Sequence, residues 1–235
     1  MRSELFAQEH HETTTTERFT LQNPWLLKVV LGPDVLAAKG AMVAYQGQAS
    51  FTHEGSGSLG KFMKRAMTSE DTPLMRVSGQ GEVFFADSAY NVFVMRLEND
   101  AISINGRSLL AFDAHLHWDV HRTKGAGIMT GGLFNTLIQG EGHVAMTAHG
   151  KPMILDCSVQ PTYVDTQAAV CWSANLTPNI VSSMKMRSML RGGSGEALQY
   201  AFHGPGFVVV QPSEGPPMPD ESEDSEGRLS SLFDG

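Results

Sequence analysis

Gly79-Gln80-Gly81-Glu82-Val83-Phe84-Phe85 is a glycine pair running into an apolar strand. The same pattern returns at Gly140-Glu141-Gly142-His143-Val144-Ala145-Met146 and at Gly204-Pro205-Gly206-Phe207-Val208-Val209. The starts are 61 and 64 residues apart. A second element, small or apolar residues ending in an aromatic, precedes each one. It reads Met42-Val43-Ala44-Tyr45, Leu109-Leu110-Ala111-Phe112 and Ala169-Val170-Cys171-Trp172, with starts 67 and 60 residues apart. The distance from the second element to the first is 37, 31 and 35 residues. Two elements keeping step three times imply an internally repeated architecture. Glycine at the entry of a strand suits a bend, a bulge or a close backbone approach. The residues that follow run apolar for the length of a buried strand.

Other segments agree with a β-rich chain. Ala101 to Asn105 alternates and meets Asn105-Gly106, a hairpin signal. His115 to His121 alternates polar and apolar. Helical periodicity is confined to Leu59–Met67, with Ser182–Leu190 readable as helix or strand. Long β-α-β alternation is missing, which excludes a doubly wound α/β fold. The expected fold is all-β, with three β-rich pseudo-repeats forming a compact sandwich or prism.

Composition sets the domain limits. The chain has 235 residues with a formal charge of −8. Residues 212–235 hold seven acids and one base, so −6 of that charge belongs to a Pro/Ser/Gly/acid tail. Such a tail buries too little to fold and is expected to be disordered, with Leu229, Leu232 and Phe233 as a docking motif for a protein partner or an unstructured end. Residues 1–17 form a polar N-terminal segment, and residues 18–211 a single β domain. The N-terminus lacks the apolar stretch of a secretory signal, and no run reaches the ~20 apolar residues of a membrane-spanning helix. Cys157 and Cys171 have neither metal nor redox spacing and read as reduced thiols in a cytoplasmic protein.

Candidate chemistry is sparse. Gly55 to Lys61 has phosphate-loop spacing, but Phe62 stands where a Ser or Thr must hold magnesium. It reads as a Gly/Ser loop, and no cofactor is expected. Asp113, His115, His117, Asp119 and His121 would share one face of a single strand. His115, His117 and His121 are therefore the candidate metal ligands, since imidazole suits zinc, iron and manganese. A cupin uses a similar His-x-His, but its following glutamate is missing here. The competing reading is the solvated face of a half-buried strand. Cys171 occupies the small position held by Ala44 and Ala111, which favours packing over nucleophilic chemistry. No Gly-x-Ser-x-Gly elbow occurs, so no catalytic residue is assigned.

These same segments resemble the altered-inheritance-of-mitochondria family of β proteins. The resemblance runs from about Phe19 to Pro212, through LQNPWLLKVVL, KGAMVAYQG, PLMRVSGQGEVFFAD, INGRSLLAFDAHLHWDV, GGLFNTLIQGEGHVAMTAHGKP, VDTQAAVCWSANL and RGGSGEALQYAFHGPGFVVVQPSE. It implies a fold similar to the tryptophan RNA-binding attenuation protein and a homo-oligomer. It implies a soluble bacterial-type member of unassigned role, in a family with one mitochondrial member linked to inner-membrane organisation. It supplies no catalytic residues. RNA binding does not follow from the fold. Without the tail the charge is only −2, which disfavours binding phosphates. Lys61, Lys64, Arg65, Lys185, Arg187 and Arg191 are the basic clusters, readable as peripheral lipid contacts or as solvent-facing charge. The expected function is a non-enzymatic, self-associating β scaffold or binding protein. The alternative is a cupin-like metal-dependent enzyme on the Asp113–His121 face.

Overall fold

The two sequence elements are hydrogen-bonded partners. In the computed structural model, which describes residues 2–54, 74–122, 134–181 and 198–213, each aromatic element lies antiparallel to the glycine-led strand that follows it. The register is the same each time. Met42, Leu109 and Ala169 face Phe85, Met146 and Val210. Tyr45, Phe112 and Trp172 face Val83, Val144 and Val208. All three ladders shift register after the first residue of the element, at Val43, Leu110 and Val170, so each carries an equivalent bulge.

The described strands are β1 (Phe19–Asn23), β2 (Leu26–Val30), β3 (Val35–Ala38), β4 (Met42–His53), β5 (Leu74–Phe85), β6 (Asn91–Asn105), β7 (Leu109–Asp113), β8 (His117–Arg122), β9 (Phe134–Ala148), β10 (Met153–Asp156), β11 (Thr162–Asp165), β12 (Ala169–Ser173), β13 (Asn179–Val181), β14 (Gln199–Phe202) and β15 (Phe207–Val210). The fold is all-β, as the alternating sequence pattern predicts. The helix expected at 59–67, the 182–190 segment, the Gly55–Lys61 loop, the basic clusters and residues 214–235 lie outside the described residues.

Three sets of strands share one plan. In the first, β5 carries β4 along one edge, with β2 and β3 on the other. In the second, β9 carries β7 and β8 along one edge and β6 on the other. In the third the long strands are broken: β15 lies between β12 and β10, and β14 between β13 and β11. Neighbouring sets join edge to edge. Val35, Leu36 and Ala37 of β3 pair with Asp113, Phe112 and Ala111 of β7. Ile102, Ser103 and Ile104 of β6 pair with Ser173, Trp172 and Cys171 of β12. These junctions carry the aromatic elements into the core: Phe112 is fully buried and Trp172 nearly so. Burying each contributes on the order of 2–3 kcal/mol.

The glycine pairs sit where a neighbouring segment approaches closely, the facing strand β4 at Gly79 and Gly81 and a leucine side chain at the other two pairs. Gly79, Gly81, Gly140, Gly204 and Gly206 have positive φ. A side chain at Gly81 would run into the Gln46 carbonyl of the facing strand. The hairpin expected at Asn105-Gly106 is not formed, because β9 lies between β6 and β7. Asn105 instead caps a short 3-10 turn, accepting from Arg107 N at 3.2 Å, and donates to the Thr166 and Ala169 carbonyls.

Residues 11–13 lie along the first set. Thr13 N donates to Gln22 Oε1 at 2.7 Å, and Gln46 Nε2 donates to Glu12 Oε2 at 2.9 Å. Lys28, buried in β2, donates to the Thr13 carbonyl at 2.6 Å and pairs with Glu82 at 2.7 Å.

Candidate functional site

The segment from Asp113 to His121, expected as one strand, is two. β7 ends at Asp113, a turn closed by Leu116 N donating to the Asp113 carbonyl follows, and β8 begins at His117. The turn drops Leu116 onto the glycine pair, where a Cβ on Gly140 would lie 3.0 Å and one on Gly142 3.2 Å from its Cδ2. The five polar residues therefore do not form one row.

Asp113 is buried and fully engaged. Its Oδ1 accepts from Arg18 Nε at 2.5 Å, and its Oδ2 accepts from His143 N at 2.8 Å. His143 Nδ1 lies 3.1 Å from the same Oδ2, and the ring stacks on Phe19 with centroids 5.2 Å apart. Arg18 also donates to the Val30, Pro33 and Asp34 carbonyls. Burial alone would push the Asp113 carboxyl up. The His143 main-chain N–H and the Arg18 guanidinium outweigh it and hold the acid below the usual carboxylate range. The result is a charged pin joining the start of β1 to β7 and β9.

His115 Nε2 lies 2.8 Å from the Glu141 carbonyl. His117 and His121 are exposed on β8, with His121 Nε2 3.6 Å from Asp119 Oδ2. No group of three His, Cys, Asp or Glu side chains converges for a metal among the described residues.

A second turn shows what these residues do. After β12, Leu176 N donates to the Ser173 carbonyl, and Leu176 covers Gly204 and Gly206. Ser173 Oγ accepts from Phe207 N at 3.0 Å, as Asp113 does from His143 N. Asn175 Nδ2 donates to the Pro205 carbonyl at 2.6 Å, as His115 bonds the Glu141 carbonyl. Serine and asparagine do the work of aspartate and histidine, so the shared role is to brace a turn over a glycine pair. His143, the residue directly after the second glycine pair, is the partner of Asp113 that the row of polar residues from Asp113 to His121 does not include. Arg18, 95 residues from Asp113, gives no sequence signal at all.

The remaining polar centres are also braced. Arg76 holds Glu54 through two bonds of 2.8 Å and Asp34 at 3.0 Å, and Glu54 above all pushes its guanidinium further up. His149 stacks on Tyr90 at 4.8 Å and lies 2.8 Å from Ser213 Oγ. Burial pushes the Cys171 thiol up to about 12 and also raises Cys157, which keeps both thiols protonated.

One feature is not braced. β4 runs twelve residues with a ladder to β5 on one edge and to no described strand on the other. Val43 to Gln48 are exposed, with Val43 at 56% and Tyr45 at 49%. β11 is likewise paired on one edge only, to β14, and Tyr163 is 59% exposed.

A family model described as mitochondrial biogenesis AIM24 matches residues 19–213. The chain belongs to the AIM24 family. An X-ray structure of a Streptococcus pyogenes protein superposes with a TM-score of 0.68 at 20% identity, covering 92% of this chain and 98% of that one. At that identity the likeness concerns the fold. No functionally curated protein matches. The AIM24 match spans both turns, Asp113, His143 and the β4 and β11 edges, and begins one residue after Arg18. No described helix of this AIM24 member is long and apolar enough to cross a membrane.

Proposed function

We propose that this AIM24 member is a non-enzymatic β scaffold that works by self-association. The observation that carries the reading is the edge of β4 that no described strand pairs. A long, unpaired strand edge with exposed apolar and aromatic side chains is a template for another strand, and soluble proteins ordinarily blunt or cover it. Here Val43, Ala44 and Tyr45 lie on it with no lysine or proline among them. The engaged state of Asp113 and His115 supports a structural role for the polar centre over a catalytic one. The family description names a process and no reaction, which suits a scaffold. Light scattering coupled to size-exclusion chromatography at micromolar concentration tests the reading. A mass of two or more chains is expected, and a single-chain mass throughout the range would overturn it.

A further inference from the structure

We infer that β11 of one copy adds to β4 of the next, as a third junction of the kind that joins the sets within the chain. This inference rests on the self-association proposed above and specifies its surface. The argument is one of register. Against their long strands, Val35, Ile102 and Thr162 occupy corresponding places, facing Val77, Ile138 and Phe202. Each of those three partners lies two residues before the first glycine of a pair. Leu36, Ser103 and Tyr163 follow, and then Ala37, Ile104 and Val164. In the first two sets these residues pair onward with the next aromatic element. Leu36 meets Phe112, and Ser103 meets Trp172. In the third set, β11 has no onward partner among the described strands.

Among the described strands, the element left without an incoming partner is the first one, Met42–Tyr45 on β4. Carrying the observed register over sets Thr162 against Gln46, Tyr163 against Tyr45 and Val164 against Ala44. The burial pattern is that of an unmade junction. Leu36, Phe112 and Trp172 are at most 2% exposed, whereas their counterparts Tyr163 and Tyr45 are 59% and 49% exposed. The described strands leave one junction edge of each kind, on different strands, so the contact is head-to-tail rather than two-fold. Antiparallel addition would pair edge N–H and C=O groups and bring Tyr45 and Tyr163 side by side, the usual stabilising unit of a sheet.

The test uses exposed positions, so the fold is left intact. Tyr45→Lys and Tyr163→Lys should each reduce the light-scattering mass to that of one chain. The double variant Tyr45→Lys with Tyr163→Glu should restore the oligomer through opposite charges across the pair. Cross-linking gives the direction. A mixture of Tyr45→Cys and Tyr163→Cys chains should form a disulfide between the two, because directly opposed strand residues lie within bridging distance. Neither variant alone should form one. A wild-type oligomer unaffected by both lysine variants would overturn this pairing and leave self-association standing. Wild-type chains that are monomeric would overturn both. A Tyr45→Cys chain that bridges to itself would overturn the head-to-tail arrangement. So would a Tyr45→Cys/Tyr163→Cys chain that closes its bridge at single-chain mass.

Discussion

The element Leu109–Phe112 and the element Met42–Tyr45 have the same pattern, the same bulge and the same register on a glycine-led strand. One is buried from end to end, and the other is open from Val43 onward. Nothing inside either element explains the difference. β3 lies against the first and no described strand lies against the second. Local sequence therefore specifies strand, bulge and register, while burial is conferred by the neighbouring set.

The largest test of this contrast is truncation of the two aromatics. Phe112→Ala should cost about 3–5 kcal/mol, as for large-to-small changes in a packed core. Tyr45→Ala should change the stability of a dissociated chain by less than about 0.5 kcal/mol. Urea unfolding at concentrations low enough to hold the chain monomeric measures both. Equal losses would show that β4 is covered.

Next comes the Asp113 pin against its neutral counterpart at Ser173. Asp113→Ala strands the Arg18 charge and should cost about 3 kcal/mol at neutral pH. The acid side has a definite sign. Asp113 is held below its unfolded value of about 3.9, so its contribution is present above that value. It is lost as pH falls through the lowered folded value. The gap in urea midpoint between wild type and Asp113→Asn should therefore be full at pH 7 and narrow as pH falls below the ordinary carboxylate range. A constant gap would remove the carboxylate from the explanation.

The glycine pairs offer a finer contrast. Gly81→Ala meets both a positive φ and the Gln46 carbonyl, whereas Gly204→Ala meets a positive φ and only an ordinary contact 3.4 Å from Leu176. The first should cost about 2–3 kcal/mol and the second about 1–2 kcal/mol. A reversed order in thermal unfolding would refute the close-approach account. Only a small effect is expected at His115→Asn, which installs the residue found at the matching turn. It should stay within about 1 kcal/mol of wild type, with metal content by elemental analysis identical in the two proteins. Loss of a stoichiometric metal from the variant would favour the metal-site reading over the structural one.

Much of the fold was legible because pairing partners carried paired signals. The aromatic elements and the glycine-led strands keep step in sequence and lie against each other in space. Two expectations failed for identifiable reasons. Asn105-Gly106 looks like a hairpin locally, but a strand from much later in the chain separates its arms, and the Asn105 amide is used across the sheet. The alternation from Asp113 to His121 continues through a turn, because Leu116 has an apolar surface to cover whether or not the strand continues. The open edge was illegible, since which strand arrives beside β4 is not a property of β4. The same holds for Arg18, whose partner is a matter of tertiary approach.

The Arg18–Asp113 link has a consequence for the order of events during synthesis. β1 emerges first, but the charge of Arg18, the residue before it, meets its acid only 95 positions later, at a carboxylate itself bonded by His143 of β9. The edge of β3 likewise waits for β7. A nascent chain ending after β5 therefore has an uncovered sheet edge and an arginine without its acid, the state in which strand-rich chains stick to one another. Made alone, the first set lacks both the strand that covers β3 and the acid that meets Arg18 in the finished chain.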